Sequence, residues 1–145
     1  MLGKIFGKLA GWAPLPIRLG LGIVFLAHGS QKLFGAFGGH GFQGVVGMVG
    51  GLGLKPAVFW AILVVFAEFG CGLLVLLGVF TRFAAAVIAI NMLVAIGAVH
   101  AKNGFFGSAG GFEYPFSLVT MCLSLILSGA GALSVDWLFR RKASD

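Results

Sequence analysis

Charge is scarce in this chain. Ten Lys and Arg and four Asp and Glu make up 10% of its 145 residues, where soluble domains carry about 25%. With 59% hydrophobic residues and a mean hydropathy of +1.07, that scarcity excludes an ordinary soluble domain and implies an integral membrane protein in contact with the lipid bilayer. Such a length holds about four spans of ~20 residues once loops are subtracted, leaving little room for a soluble catalytic domain. Cysteine is scarce too: Cys71 and Cys122 lie in apolar runs without C-x-x-C spacing, so a disulfide framework and a thioredoxin-like pair are not supported. Buried structural thiols are the plainer reading. Cofactor signals are missing as well. The G-x-G runs lack the strand-then-helix context of a nucleotide site. His28, His40 and His100 share no H-x-x-x-H spacing, which argues against haem or another metal centre.

The net charge of +6 does not imply nucleic acid, because the basic residues stand at the ends of apolar runs rather than in a patch. Spans are expected over about 16–34, 56–80, 83–99 and 115–133, giving an all-α, four-helix membrane bundle in a single domain, 1–145. Residues Met1 to Pro14, with Leu2, Ile5, Phe6 and Leu9 at helical spacing and Trp12 at the end, suit a short interfacial helix. No A-x-A-like site follows the first apolar run, so no cleavage is expected. Between Gly35 and Lys55 a glycine-dense connector has about a dozen apolar residues. It is too short to span and suits an interfacial or re-entrant helix. Thr81 and Arg82 read as a tight turn joining antiparallel neighbours, and Ser117, Thr120, Ser124 and Ser128 as a stripe facing other helices. With both termini on one side, that side holds Lys4, Lys8, Arg18, Arg82, Arg140, Arg141 and Lys142, and the other Lys32, Lys55 and Lys102. Seven against three places both termini in the cytoplasm.

The residue that needs explaining is Glu68, a carboxylate near the middle of the second span. An ionised acid there is costly without a partner or water. Two readings stand side by side: a structural acid held neutral or hydrogen-bonded between helices, or a group that handles a ligand or a proton. Measured from the outer ends of the spans at ~1.5 Å per residue, His28 lies ~9 Å deep, Asn91 ~13 Å and Glu68 ~18 Å. Lys32, His100 and Glu113 stand near the outer boundary. Their descent suggests a cavity that opens outward and ends at Glu68. His28, Gln31 and Lys32 share one face of the first span, whereas a regular helix would turn His100 away from the Asn91 face. Arg18 can snorkel to the headgroups.

The residues resemble the DoxX family of small bacterial membrane proteins. The resemblance rests on Arg18, Gly22, Phe25, His28-Gly29 and Lys32-Leu33, on E-x-x-x-G-x-x-L-x-x-G-x-x-T-R from Glu68 to Arg82, on Lys102, and on Gly129, Gly131, Ser134 and Asp136. It implies a four-helix membrane bundle in the bacterial inner membrane, and quinone-linked redox chemistry like that of the membrane subunit of thiosulfate:quinone oxidoreductase. Quinone is then the expected cofactor, with no metal. Glu68 would donate protons and His28 would meet a carbonyl. Lys32 and Arg18 would help electrostatically, Gln31, Asn91 and Glu113 would complete the lining, and His100 and Arg82 would stand behind them. The alternative is a non-catalytic subunit that anchors a redox or stress-response partner. A transporter fits the polar descent but lacks duplicated halves or broken midplane helices. Two kinds of protein partner stay open, a redox enzyme or subunit and a second copy of the chain.

Overall fold

The structure is a computed structural model that describes residues 9–142, with side chains described through residue 139. The expected N-terminal interfacial helix falls largely on residues 1–8, outside the described residues, as do Lys4 and Lys8 of the charge count and the side chains of Arg140, Arg141 and Lys142.

Every regular element among the described residues is helical. These are α1 (Pro14–Phe34), α2 (Gly41–Gly51), α3 (Ala57–Leu77), α4 (Thr81–Asn103), α5 (Glu113–Ser128) and α6 (Val135–Lys142). By length and composition α3 and α4 can cross a membrane, with mean hydropathies of 2.4 and 2.1, and α5 is a shorter apolar helix. Val58, Phe59 and Ile62 on α3, Ile90 and Leu93 on α4, and Phe116, Leu123 and Leu127 on α5 are exposed. That much outward apolar surface is what an acyl environment accepts and water does not.

Two boundaries differ from expectation for a backbone reason. α5 stops at Ser128 rather than running to 133, because Gly129, Gly131 and Leu133 all carry positive φ and cannot continue a right-handed helix. Between α3 and α4 the reversal is made by Gly78 (φ 69°) and Phe80 (φ 45°). Thr81 and Arg82 open α4 instead of forming the turn.

α1 packs along the second half of α3, α4 packs on α5 and on that same half, and α1 also meets α5. The core between them holds Leu21, Phe25, Cys71, Val75, Ile88, Leu118 and Cys122. Ala84, Ala85 and Ala89 line the α4 side, and such small residues let helix backbones approach in lipid. Glycines do the same between α1 and α3: a Cβ on Gly29 would lie 2.5 Å from the Phe69 nitrogen, and one on Gly22 would lie 2.8 Å from Leu76 Cβ. Val45 and Val49 of α2 form a second core with Ala61 and Val65 of α3. The hydroxyl stripe does not face other helices. Ser117, Thr120 and Ser128 are exposed, and their hydroxyls donate to Glu113, Ser117 and Ser124 carbonyls of their own helix, so they need no partner across an interface.

At the α6 end, Arg18 is 2% exposed and does not snorkel. Its guanidinium donates to the carbonyls of Ala130 (2.7 Å), Ala132 (3.4 Å) and Leu133 (2.5 Å). These groups are oriented by the breaks after α5 and supply the acceptors a buried cation requires. Asp136 accepts from the Phe80 and Thr81 amides, both at 2.9 Å, and so caps the start of α4 from another segment of chain. Ser134 caps α6 through the Trp137 amide. Gly78 sits between them with no room for a Cβ beside Ser134 and Arg18.

Candidate functional site

Glu68 lies in the middle of a π-helical turn, Phe66–Gly70, inside α3. Such turns take in one extra residue and recur at functional sites. The carboxylate is 3% exposed and paired with the Lys32 ammonium, whose side chain is 29% exposed. Its Oε1 also accepts from Asn91 Nδ2 at 3.2 Å. Helical side chains lean toward the N-terminus of their own helix. Lys32, near the end of α1, therefore leans into the protein and Glu68 leans back to meet it, so Lys32 does not stay at the boundary. Glu68 Oε2 is buried without a hydrogen-bond partner. Among the described residues the other such side-chain atoms are Arg18 Nε and Thr81 Oγ1.

A half-open pocket of about 180 Å³ adjoins this group, lined by Lys32, Glu68, Asn91 and His100 together with Met48, Val49, Val64 and Ala95. His100 reaches it because α4 is not regular to its end: Ile96–His100 is a second π-helical turn, which retards the helical phase and swings the ring back toward Asn91. Nδ1 lies 2.9 Å from the Gly110 carbonyl, which can only accept, so Nδ1 is the donor of that bond.

Two further openings border this pocket. One, of about 440 Å³, lies between the end of α1 and the glycine-rich connector and is lined by Gln31, Lys32, His40 and Met48. Lys32 and Met48 line both spaces. The other is an apolar groove of about 540 Å³ between the first half of α3 and α4, with Trp60, Leu63, Ala67, Val87 and Ile90 on its walls. It shares Leu54, Val64, Asn91 and Val94 with the Glu68 pocket.

The residues expected at the site thus divide. Glu68, Lys32, Asn91 and His100 come together, and Gln31 lines only the neighbouring opening. His28 is exposed and sits beside Tyr114, ring centroids 6.5 Å apart. It misses Glu68 because Gly22, Phe25 and Gly29 form the buried face of α1, which leaves the next residue before Gly29 turned aside. Arg18 stands fourteen residues from Lys32, about 21 Å along α1 at ~1.5 Å per residue, and is bound at the other end. Arg82 donates to the Leu127 carbonyl at 3.3 Å at that same end. Glu113 accepts from the Gly107 amide at 2.6 Å and orders its own loop. Tyr114, absent from the sequence-based site, is the residue beside which His28 stands. Its only signal was being the chain's single tyrosine. Among the described residues no three metal-ligating side chains gather.

The profile of the DoxX family matches residues 13–101, a stretch that includes Lys32, Glu68, Asn91 and His100 and stops short of Glu113 and the Gly129–Asp136 segment. An uncharacterized membrane protein of Mycobacterium tuberculosis, Rv3486, is 33% identical over 138 residues, covering 88% of this chain and 82% of the relative. An uncharacterized Haemophilus influenzae protein is 38% identical over 68 residues, 47% of this chain and 45% of its own. CatD of Bacillus subtilis, whose name assigns it provisionally as an oxidoreductase, is 30% identical over 122 residues, 84% and 83%. No solved structure matches the chain.

Proposed function

Because the chain belongs to the DoxX family of membrane proteins, we propose that it is a quinone-linked oxidoreductase subunit, with Glu68, Lys32, Asn91 and His100 holding the quinone ring. On this reading the chain is one membrane domain of four crossings, α1, α3, α4 and α5, with α2 at the interface. It sits in the bacterial inner membrane with both termini in the cytoplasm and works with a partner redox enzyme.

One observation carries the reading: Glu68 Oε2 is buried and unpartnered on a carboxylate that lines a cavity. A buried acceptor left without a donor costs about 1–3 kcal/mol, and a ligand hydroxyl or a proton on that oxygen removes the cost. The surroundings fit a small polar ring, with an ammonium and an amide beside the acid and aliphatic Val49, Val64 and Ala95 on the remaining walls. A quinone, when bound, supplies a carrier of two electrons and two protons. Glu68 then holds or gives up the proton at Oε2, and Lys32 and Asn91 fix the carboxylate and offer N–H groups to an oxygen. Lys32 also borders the opening beside the glycine-rich connector, which gives protons a way in from water. CatD's name points to the same broad chemistry.

The test is Glu68→Gln in purified protein, which keeps shape and the Asn91 contact. Circular dichroism should be unchanged while quinone affinity, followed by calorimetry, falls at least tenfold. Titrations that overlay with the original protein would overturn the reading and leave the anchoring role, which is then tested by co-purification of a partner.

A further inference from the structure

We propose that the groove between α3 and α4 is the berth of the quinone's isoprenoid tail, so that the ligand enters sideways from the bilayer between these two helices. The inference rests on the quinone reading above and adds a site and a direction to it. α3 and α4 touch from the Gly78 turn to the π-helical turn at Phe66–Gly70 and diverge beyond it, and the groove is the open part of that V. Its walls are apolar, with Trp60, Leu63, Val87 and Ile90. The outer residues Leu63 and Ile90 are 42% and 62% exposed, so the groove opens on the side of the protein and not at its end.

Adjacency to the Glu68 pocket points to the occupant. The two spaces share Leu54, Val64, Asn91 and Val94 as walls, so the groove is the nearest apolar space to which a ring at Glu68 could send an attached chain, past Asn91. An ordinary phospholipid is a poor fit to the same path. Its phosphodiester would bring a second negative charge against the carboxylate, which is unfavourable away from water. A neutral ring whose oxygens can accept or carry a hydrogen does not meet that repulsion.

The experiment uses Trp60 as reporter. The chain has three tryptophans, so Trp12→Phe/Trp137→Phe leaves Trp60 alone on the groove wall. This protein in phosphatidylcholine nanodiscs is titrated with a tail-less dimethoxy-methyl-benzoquinone and with the same ring bearing an isoprenoid tail, each corrected for membrane partitioning and repeated by calorimetry. The tailed compound should bind at least tenfold more tightly and quench Trp60. Ala67→Leu, which fills the groove floor, should cancel that gain and leave the tail-less affinity within twofold. Ile90→Phe narrows the exposed mouth and should act in the same direction if the Ala67 variant does not fold. Equal affinities for both compounds, or equal losses in the filled variants, would overturn the berth while leaving ring binding intact. Quenching of Trp60 by brominated phosphatidylcholine that tailed quinone does not displace would overturn it too, assigning the groove to an acyl chain. Failure of even the tail-less ring to bind sinks the parent reading together with this one.

Discussion

Lys32 and Glu68 form an ion pair whose two halves live in different surroundings: the lysine side chain is 29% exposed and the glutamate 3%. Lys32 comes from α1 and Glu68 from α3, and Asn91 of α4 bonds the same carboxylate oxygen, so one atom joins three helices. The asymmetry has an energetic consequence. Without Glu68 the ammonium can turn to water, but without Lys32 a carboxylate is stranded inside.

Lys32→Met should therefore cost about 3 kcal/mol or more, the scale for breaking one side of a buried pair. Glu68→Gln should cost clearly less. The double variant should be more stable than Lys32→Met alone, with a coupling of about 0.5–3 kcal/mol. Denaturant unfolding of all four proteins in one detergent measures this. Equal losses for the two single variants would mean the pair is effectively solvated.

Gly29→Ala should lower the melting temperature although alanine is the better helix former by about 1 kcal/mol. The added Cβ would lie 2.5 Å from the Phe69 nitrogen and 2.6 Å from its Cα, and backbone cannot swing aside as a side chain can. Gly47→Ala is the control, since no atom lies within 4 Å of a Cβ built there. It should be neutral or mildly stabilising. Thermal melts of both variants decide whether close approach of α1 and α3 is what the glycine supplies.

Arg18→Lys should destabilise the protein without touching ligand affinity. A lysine keeps the charge but not the fork that reaches Ala130, Ala132 and Leu133 carbonyls together, and losing hydrogen bonds to a charged group costs about 1.5–3 kcal/mol each. The folded fraction should bind quinone within twofold of the original. A specific loss of affinity in folded protein would return Arg18 to the site.

Asp136→Ala should remove about 1–2 kcal/mol, the usual worth of a helix cap. Its two oxygens hold the Phe80 and Thr81 amides at 2.9 Å, so hydrogen exchange at those two positions should speed up while exchange around Ile88 in mid-α4 stays slow. Unchanged exchange at the start of α4 would show that the cap is made by other groups.

The helices and the burial of a charged group at Glu68 could be read from the sequence because hydropathy and a charge in an apolar run are local signals. Pairing was harder. Arg18 on sequence alone suits a snorkelling residue, since nothing near it announces carbonyl acceptors more than a hundred positions away. His28 shared a face with Lys32 on a wheel, yet the buried edge of α1 is fixed by Gly29 against Phe69, which a wheel does not weigh. The serine and threonine stripe had the right period for an interface but bonds its own helix, an option always open to a hydroxyl. The two π-helical turns left no mark in residue type, and they decide that Glu68 and His100 look into the same space.

The acceptors of Arg18 lie 112 to 115 residues further along the chain, and this separation governs how the protein can be made. When α1 leaves the ribosome the carbonyls of Ala130, Ala132 and Leu133 have not yet been made, so this anchorage of Arg18 can form only after α5 has been translated.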